Sequence, residues 1–137
     1  MQLHLNQGTE YAYRALCMLD ESDGARVSGK TMAEQLDVSV DYLTKVLRPL
    51  SRAGWIAGSR GASGGYRITV DLSALCVLDL IEAVEGRVDR ERCMHGDSRN
   101  PAQELCAYHD AWIRARDSLL VELESTPLNE PCLASSE

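Results

Sequence analysis

The stretch that decides the fold is SVDYLTKVLRPLSRAG, which spans residues 39–54. Ser39 is a favourable N-cap residue, and apolar residues follow it at the three- and four-residue spacing of an amphipathic helix: Leu43, Val46, Leu47, Leu50 and Ala53. Gly54 suits the left-handed conformation that ends many helices. Pro49 removes a backbone hydrogen bond at a cost of about 3 kcal/mol, so we expect the helix to continue with a kink between residues 45 and 49.

A shorter helix is predicted just before this one, over residues 29–36, with its apolar residues on one face. Asp37 and Val38 alone separate the two helices. Two helices joined by so short a turn are typical of a helix-turn-helix, in which the second helix lies in the major groove of DNA.

The residues after Gly54 predict a β-hairpin. Residues 55–57 and 66–70 are rich in β-branched and aromatic side chains, and four glycines lie in the eight residues between them. Glycine permits a tight turn and a close approach of the backbone to phosphate. A hairpin that follows a recognition helix is a wing, with Arg60 placed to reach a groove, although the segment alone would also fit an ordinary flexible hairpin.

Three further helices are predicted outside this region, over residues 9–19 with Thr9 as N-cap, over 75–84, and over 102–124. The last carries an apolar stripe formed by Leu105, Tyr108, Trp112, Ala115, Leu119 and Leu123. A helix of this length on so small a domain exposes apolar surface that a second copy of the chain would cover. After Thr126 we expect a flexible tail, in which Cys132 has no particular role.

These elements predict a mainly α fold with a small β-hairpin wing, a winged helix-turn-helix followed by a long dimerisation helix. We divide the chain into a DNA-binding domain (1–86), a loop (87–101), a dimerisation helix (102–126) and a flexible tail (127–137). The 137 residues are 45% hydrophobic and 26% charged, as in ordinary globular domains. No apolar run is long enough for a membrane helix and no signal peptide is visible, so we expect a cytoplasmic protein without a membrane partner.

The charge is distributed unevenly along the chain. The net charge of −7 argues against a nucleic-acid partner, but residues 39–67 contain five basic residues and one acidic residue, a local charge of +4. The remaining 9 basic and 20 acidic residues give −11. A basic segment in an acidic protein is typical of a focused DNA-binding surface.

The five cysteines are too few, and odd in number, for a secreted disulfide framework. Cys17 and Cys76 have apolar neighbours, and we expect both to be core residues. Cys93 lies in the polar loop, whereas Cys106 and His109 are three residues apart on one helical face. Thiolates and an imidazole are ligands for zinc or an iron–sulfur cluster.

Over residues 1–126 the sequence resembles the IscR/NsrR/RirA-type family of bacterial winged-helix transcription regulators. The resemblance rests on five segments in the same order: residues 39–47, 50–56, 60–66 and 80–86, and the Cys-x-x-His of residues 106–109. It implies a homodimer that binds near-palindromic double-stranded operator DNA and is not an enzyme. It also implies, as in many members, a [2Fe–2S] cluster that senses iron, oxygen, nitric oxide or redox state.

The resemblance further implies which residues contact DNA. Four residues at the start of the recognition helix face the major groove: Ser39, Asp41, Tyr42 and Lys45. Two residues of the wing enter the adjacent minor groove: Arg60 and Ser63. Farther along the recognition helix, Arg48 and Arg52 are suited to contact phosphates.

By the same resemblance, Cys93 and Cys106 correspond to the first and last of three loop cysteines, and His109 to a histidine that follows the last. The middle cysteine is absent, so this sequence does not contain the usual three-cysteine set. Glu10 falls where some relatives supply a ligand from the partner subunit, although a carboxylate in a first helical turn also suits the helix dipole. Three residues near the loop are alternative ligands: His95, Asp97 and Glu104.

The prediction is therefore a cytoplasmic, homodimeric DNA-binding regulator controlled by a [2Fe–2S] cluster. One alternative is a cluster-free regulator of the same fold, switched by thiol oxidation, a small molecule or a partner protein. The alternative from another class is a small redox or metal enzyme that uses Cys93, Cys106 and His109. It is disfavoured because the chain has no Cys-x-x-Cys and no paired acid and base residues.

Overall fold

The computed structural model describes residues 2–61, 64–92 and 108–134. The elements in chain order are α1 (Gln7–Glu21), α2 (Gly29–Leu36), α3 (Val40–Arg52), β1 (Ile56–Ser59), β2 (Gly65–Ile68), a 3₁₀ turn (Leu72–Ala74), α4 (Val77–Glu85), α5 (His109–Ser125) and α6 (Asn129–Ala134). This arrangement confirms the predicted fold class, mainly α with a two-stranded antiparallel wing. Within the described residues, no helix combines the length and apolar character needed to cross a membrane.

The first helix begins earlier than predicted, at Gln7, with Asn6 in the N-cap position. Thr9 is therefore not the N-cap residue: it lies inside the helix, is fully buried, and its hydroxyl donates a hydrogen bond of 2.7 Å to Glu85 Oε2. Burial of a hydroxyl without a hydrogen-bond partner costs free energy. The Glu85 carboxylate at the end of α4 supplies that partner, so Thr9 can be buried here. The contact joins the start of α1 to α4.

The helix-turn-helix is formed by α2 and α3, and each begins with a serine cap. Ser28 Oγ accepts a hydrogen bond from the backbone of Thr31, and Ser39 Oγ accepts one from the backbone of Tyr42, both 3.1 Å long. Asp37 adopts the left-handed conformation that turns the chain between the two helices. As predicted, α3 continues through Pro49, because its leucines remain in the core on both sides of that residue.

The wing is the hairpin of β1 and β2, which pairs Ile56 with Ile68 and Ser59 with Gly65. Val27 pairs with β2 as an isolated antiparallel bridge, through two 2.8 Å backbone hydrogen bonds with Tyr66. Gly65 has a φ of +138°, and a Cβ there would lie 2.5 Å from the carbonyl oxygen of Val27. Position 65 therefore requires a glycine, because the hairpin backbone passes close to Val27 there.

The C-terminal residues differ from the predicted flexible tail. Residues 126–134, which we call the C-terminal strap, fold back on the DNA-binding unit, where Leu128 is 1% exposed and Cys132 is 7% exposed. Cys132 forms a disulfide with Cys17 of α1. Cys17 therefore packs against the core as expected, but its sulfur is bonded, and the expectation that Cys132 has no role is wrong. The tail is ordered because Leu128 and Cys132 are buried against other segments. The composition of the tail did not predict this burial.

Candidate DNA-binding surface and sensing site

The exposed side of α3 carries the charged residues that the sequence analysis assigns to DNA. Asp41, Lys45, Arg48 and Arg52 are all exposed and lie three or four residues apart, on one face of the helix. The opposite face is buried and consists of Leu43, Val46, Leu47 and Leu50. The helix is therefore held to the core by one side and offers three cations on the other.

Ser39 and Tyr42 lie at the start of this exposed face. Because the Ser39 oxygen accepts the capping hydrogen bond, its hydroxyl proton stays available for an outside acceptor such as phosphate. The half-buried ring of Tyr42 contacts the Tyr11 ring of α1 edge to face, with 5.7 Å between centroids. Arg14 lies over the Tyr11 ring at 5.5 Å. The position of Tyr42 therefore depends on α1.

The wing brings a further cation to the same side of the molecule. Arg60 is exposed and follows β1 directly. It lines an open groove between the wing and the starts of α2 and α3, together with Ser28, Lys30, Val40, Gly61 and Tyr66. Ser63 lies outside the described residues, so its minor-groove contact stays a prediction.

Two cations near this groove were missed by the sequence analysis. Arg26 is exposed, and its Nη1 donates a 2.6 Å hydrogen bond to Ser59 Oγ of the wing. Lys30 is exposed in the first turn of α2. Both precede the basic segment in sequence, and the pairing of Val27 with Tyr66 brings them to it. A single residue paired with a strand leaves no periodic signal, so the sequence alone offered no means of finding them.

Helix α5 leaves a row of apolar residues uncovered in the single chain. Tyr108 is 65% exposed and Leu119 is 49% exposed. Together with Ala111, Trp112 and Ala115 they form what we call the apolar face of α5, and Leu3 from the N-terminal segment lies beside it. Because Tyr108 is the non-helical N-cap of α5, the prediction of one continuous helix from residue 102 is wrong at its start; Leu105 and the rest of residues 102–107 lie outside the described residues.

His109 is the first residue of α5, and its side chain is half-buried. The Nδ1 atom is buried and has no hydrogen-bond partner among the described residues. A buried ring nitrogen without a partner is costly, which makes His109 a suitable ligand for a group supplied from nearby. Glu10 is exposed on α1, with Oε1 at 3.5 Å from Arg14 Nη2.

The other predicted cluster ligands lie outside the described residues: Cys93 and Cys106, and the alternatives His95, Asp97 and Glu104. Among residues 2–61, 64–92 and 108–134, no three His, Cys, Asp or Glu side chains come together as a metal site. Cys76 is half-buried at the start of α4, and its backbone N–H donates to Asp79 at 2.9 Å. Burial raises the pKa of the Cys76 thiol, so it stays protonated at neutral pH.

Comparison with known proteins identifies the family. Residues 5–131 match Rrf2, described as an iron-dependent transcriptional regulator. The chain belongs to the Rrf2 family. It is 30% identical over 121 residues to the HTH-type transcriptional regulator IscR of Escherichia coli, a match that covers 86% of this chain and 74% of that protein.

A second Rrf2 relative is the HTH-type transcriptional regulator IscR of Vibrio atlanticus, 32% identical over 103 residues. That match covers 73% of this chain and 59% of the Vibrio protein, so the chain spans less than two thirds of that relative's length. The relatives are named as transcriptional regulators and not as enzymes. The chain is accordingly a transcription regulator of the Rrf2 family.

Solved structures of similar proteins share the fold over nearly the whole chain. CymR, the global cysteine regulator of Bacillus subtilis, superposes with a TM-score of 0.74 at 28% identity, covering 99% of each chain. IscR of T. potens superposes with a TM-score of 0.70 at 25% identity, covering all of this chain and 90% of that one. The winged-helix architecture of this Rrf2 regulator is therefore shared with both.

Proposed function

We propose that this Rrf2 regulator acts in the cytoplasm as a homodimer that binds double-stranded operator DNA. The observation that carries the proposal is the common surface formed by α3 and the wing, on which Lys45, Arg48 and Arg60 are exposed while the apolar residues of α3 are buried. The first turn of α3 would read base edges through Ser39, Asp41 and Tyr42. Arg48 and Arg52 would neutralise phosphates, and Arg60 with Ser63 would enter the minor groove.

The dimer part of this proposal rests on the apolar face of α5. A second copy of the same helix would bury Trp112 and Leu119, and a two-fold pairing would place two recognition helices on successive turns of one DNA face. The resulting operator is a near-palindrome with half-sites about one or two helical turns apart.

We further propose that a [2Fe–2S] cluster controls the dimer. Its ligands would be Cys93, Cys106 and His109, with Glu10 of the partner subunit as the fourth. The donor chemistry suits iron, and the buried Nδ1 of His109, without a partner among the described residues, supports it. When bound, the cluster would supply reversible one-electron chemistry. Glu10 neighbours Tyr11, whose ring contacts Tyr42, so a ligand at this position would act on the DNA-facing helix.

The experiment for DNA binding begins with selection of an operator from a random duplex library. Affinity is then measured for Lys45→Ala, Arg48→Ala and Arg60→Ala. Each variant should lose about 1–3 kcal/mol of binding free energy, because each removes a base or phosphate contact. The matched control is Arg114→Ala, which removes another exposed charge, from α5. Unchanged affinity in all three variants would place the DNA-binding surface elsewhere.

The experiment for the cluster is anaerobic reconstitution with iron and sulfide, followed by iron analysis and the visible spectrum. Cys93→Ser and Cys106→Ser should lose the cluster. His109→Ala and Glu10→Ala should retain one with an altered spectrum and reduction potential, since carboxylate and imidazole ligands raise the potential relative to thiolates. Cys76→Ser is the control and should bind iron as the wild type does.

Two results would change the cluster assignment. If the Glu10 variant matched the wild type while Asp97→Ala or His95→Ala altered the spectrum, the fourth ligand would come from the loop. If the wild type bound no iron, the cluster-free alternative would stand. The similarity to CymR, described as a cysteine regulator, supports that alternative.

A further inference from the structure

The C-terminal strap lies against the DNA-binding unit although it follows α5 in sequence. The backbone N–H of Val77 donates to the Thr126 carbonyl at 3.0 Å, and the N–H of Leu128 donates to the Leu75 carbonyl at 2.9 Å. Leu128 is fully buried and belongs to the same core cluster as residues of α1 and α3. The strap therefore determines how the end of α5 is attached to the DNA-binding unit.

A disulfide between Cys17 and Cys132 adds a covalent link to this attachment. The two cysteines are 115 residues apart in sequence, and their Cα atoms are separated by 5.7 Å. Cys17 is half-buried, whereas Cys132 is 7% exposed. The bond joins α1 to α6, the first and last of the helices that the structure describes.

The strap has little stability of its own. Helix α6 contains six residues, far fewer than the roughly 12–15 that an isolated helix needs in water. The start of the strap is attached by the burial of Leu128 and by the two backbone hydrogen bonds of Thr126 and Leu128. Its α6 helix is attached by the disulfide of Cys132. Without the disulfide, the residues after Leu128 lose their covalent attachment to α1.

We propose that Cys17 and Cys132 form a reversible thiol–disulfide switch, in which the disulfide form binds operator DNA more tightly. The disulfide fixes the strap on α1, and with it the angle between α5 and the DNA-binding unit. If α5 forms the dimer, this angle sets the spacing of the two recognition helices. The inference therefore rests on the proposed function for its effect on DNA, but not for the chemistry of the cysteines.

The oxidant is a low-molecular-weight disulfide, RSSR. The more exposed Cys17 thiolate attacks one sulfur of RSSR and releases RS⁻, which leaves a mixed disulfide on Cys17. The Cys132 thiolate then attacks the Cys17 sulfur and releases the second RS⁻. Two electrons pass from the cysteines to RSSR, and their two protons end on two molecules of RSH. Excess dithiol reverses both steps.

The effect can reach DNA by a second contact as well. Tyr11, less than two turns before Cys17 on α1, holds the ring of Tyr42 on α3. The disulfide thus anchors the helix that supports the DNA-facing tyrosine.

The test uses the full-length protein with oxidised glutathione and then with excess dithiol. Trypsin cuts after Arg14, Arg26 and Arg116, so the peptides 15–26 and 117–137 each contain one cysteine. Mass spectrometry should find them cross-linked after oxidation and separate after reduction. Hydrogen exchange of the strap should be about tenfold faster in the reduced protein, because its residues open more often.

Operator affinity is measured on the same two samples, so that the outcome does not depend on the folding of a variant. We expect binding to be about fivefold tighter or more in the disulfide form, the lower end of typical coupling between sites. Cys132→Ser should lose the redox response. Cys76→Ser should keep it, and so should a variant with both Cys93 and Cys106 replaced by serine, which separates this switch from the cluster.

Three outcomes distinguish the possibilities. Absence of the cross-linked peptide after oxidation would overturn the switch. A cross-link that forms without changing strap exchange or affinity would overturn its regulatory effect. A normal cross-link and strap response, with no specific DNA binding in either form, would overturn the proposed function and support the thiol chemistry.

Discussion

Gly65 shows how strongly one residue can constrain the wing. Its backbone lies in the left-handed half of conformational space, and a side chain there would collide with the Val27 carbonyl. The Val27–Tyr66 pairing holds Arg26 beside the wing, so the close approach at Gly65 also positions a cation of the candidate DNA surface.

We therefore predict that Gly65→Ala lowers the free energy of unfolding by about 1–3 kcal/mol, through backbone strain and the collision with Val27. It should also weaken operator binding. The control is Gly61→Ala, where φ is +102° but no atom of the described residues lies within 4 Å of the added Cβ. Urea denaturation should show the larger loss at Gly65, and equal losses would contradict the role given to Val27.

At the scale of elements, α5 and the strap have opposite environments. Leu120 is the buried residue of α5, whereas the apolar face of α5 is uncovered in the single chain. The strap is much shorter, yet Leu128 and Cys132 both belong to the core. In the proposed dimer, α5 would associate with a second chain, whereas the strap attaches α5 to the DNA-binding unit within one chain.

For α5, we predict that Trp112→Glu converts the dimer to a monomer, because a carboxylate buried without a partner costs several kcal/mol. Sedimentation equilibrium measures the change. Val121→Glu is a matched control, since Val121 is 57% exposed on the opposite side of the helix. A dimeric Trp112→Glu protein would move the interface away from the apolar face of α5.

For the strap, we predict that Leu128→Ala lowers the free energy of unfolding by about 2–5 kcal/mol, because it leaves a cavity where a fully buried leucine packs. The exposed Val121→Ala should change stability by less than about 0.5 kcal/mol. Denaturation of both variants, each compared under oxidising and reducing conditions, provides the measurement. A Leu128 variant as stable as the wild type would show that the strap is not part of the core.

At the scale of the whole molecule, the charge distribution outweighs the net charge. The chain carries −7, yet several of its exposed cations, among them Lys30, Arg60 and Arg48, lie around one groove and on the adjoining face of α3. The acidic residues elsewhere repel DNA, which favours binding in one orientation. Arg26 and Lys30 enlarge this surface beyond the basic segment of residues 39–67.

We predict that the logarithm of the operator binding constant falls linearly with the logarithm of the salt concentration. Arg26→Ala and Lys30→Ala should each reduce the magnitude of this slope by about 0.9 if each loses one phosphate contact. Arg114→Ala should leave the slope unchanged. Anisotropy titrations across a range of salt concentrations provide the slopes. If both variants had the same slope as the wild type, Arg26 and Lys30 would not contact DNA phosphates.

The sequence by itself determined the local elements and their order. The Ser39 cap, apolar spacing and the glycine-rich turn predict α2, α3 and the wing, because these signals depend on residues a few positions apart. The same signals predicted that α3 continues past Pro49 and that α5 carries an uncovered apolar stripe. The roles assigned to the DNA-contact residues and to the cluster ligands remain predictions, and Cys93, Cys106 and Ser63 lie outside the described residues.

The tertiary structure alone decided the contacts between distant parts of the chain. Thr9 reaches Glu85, Arg26 reaches the wing, and Cys132 reaches Cys17 across 115 residues. None of these has a periodic pattern, since each joins single residues whose proximity depends on how the helices pack. The strap was predicted as a flexible tail for the same reason: its stability comes from a core made by other segments, and not from its own six-residue helix.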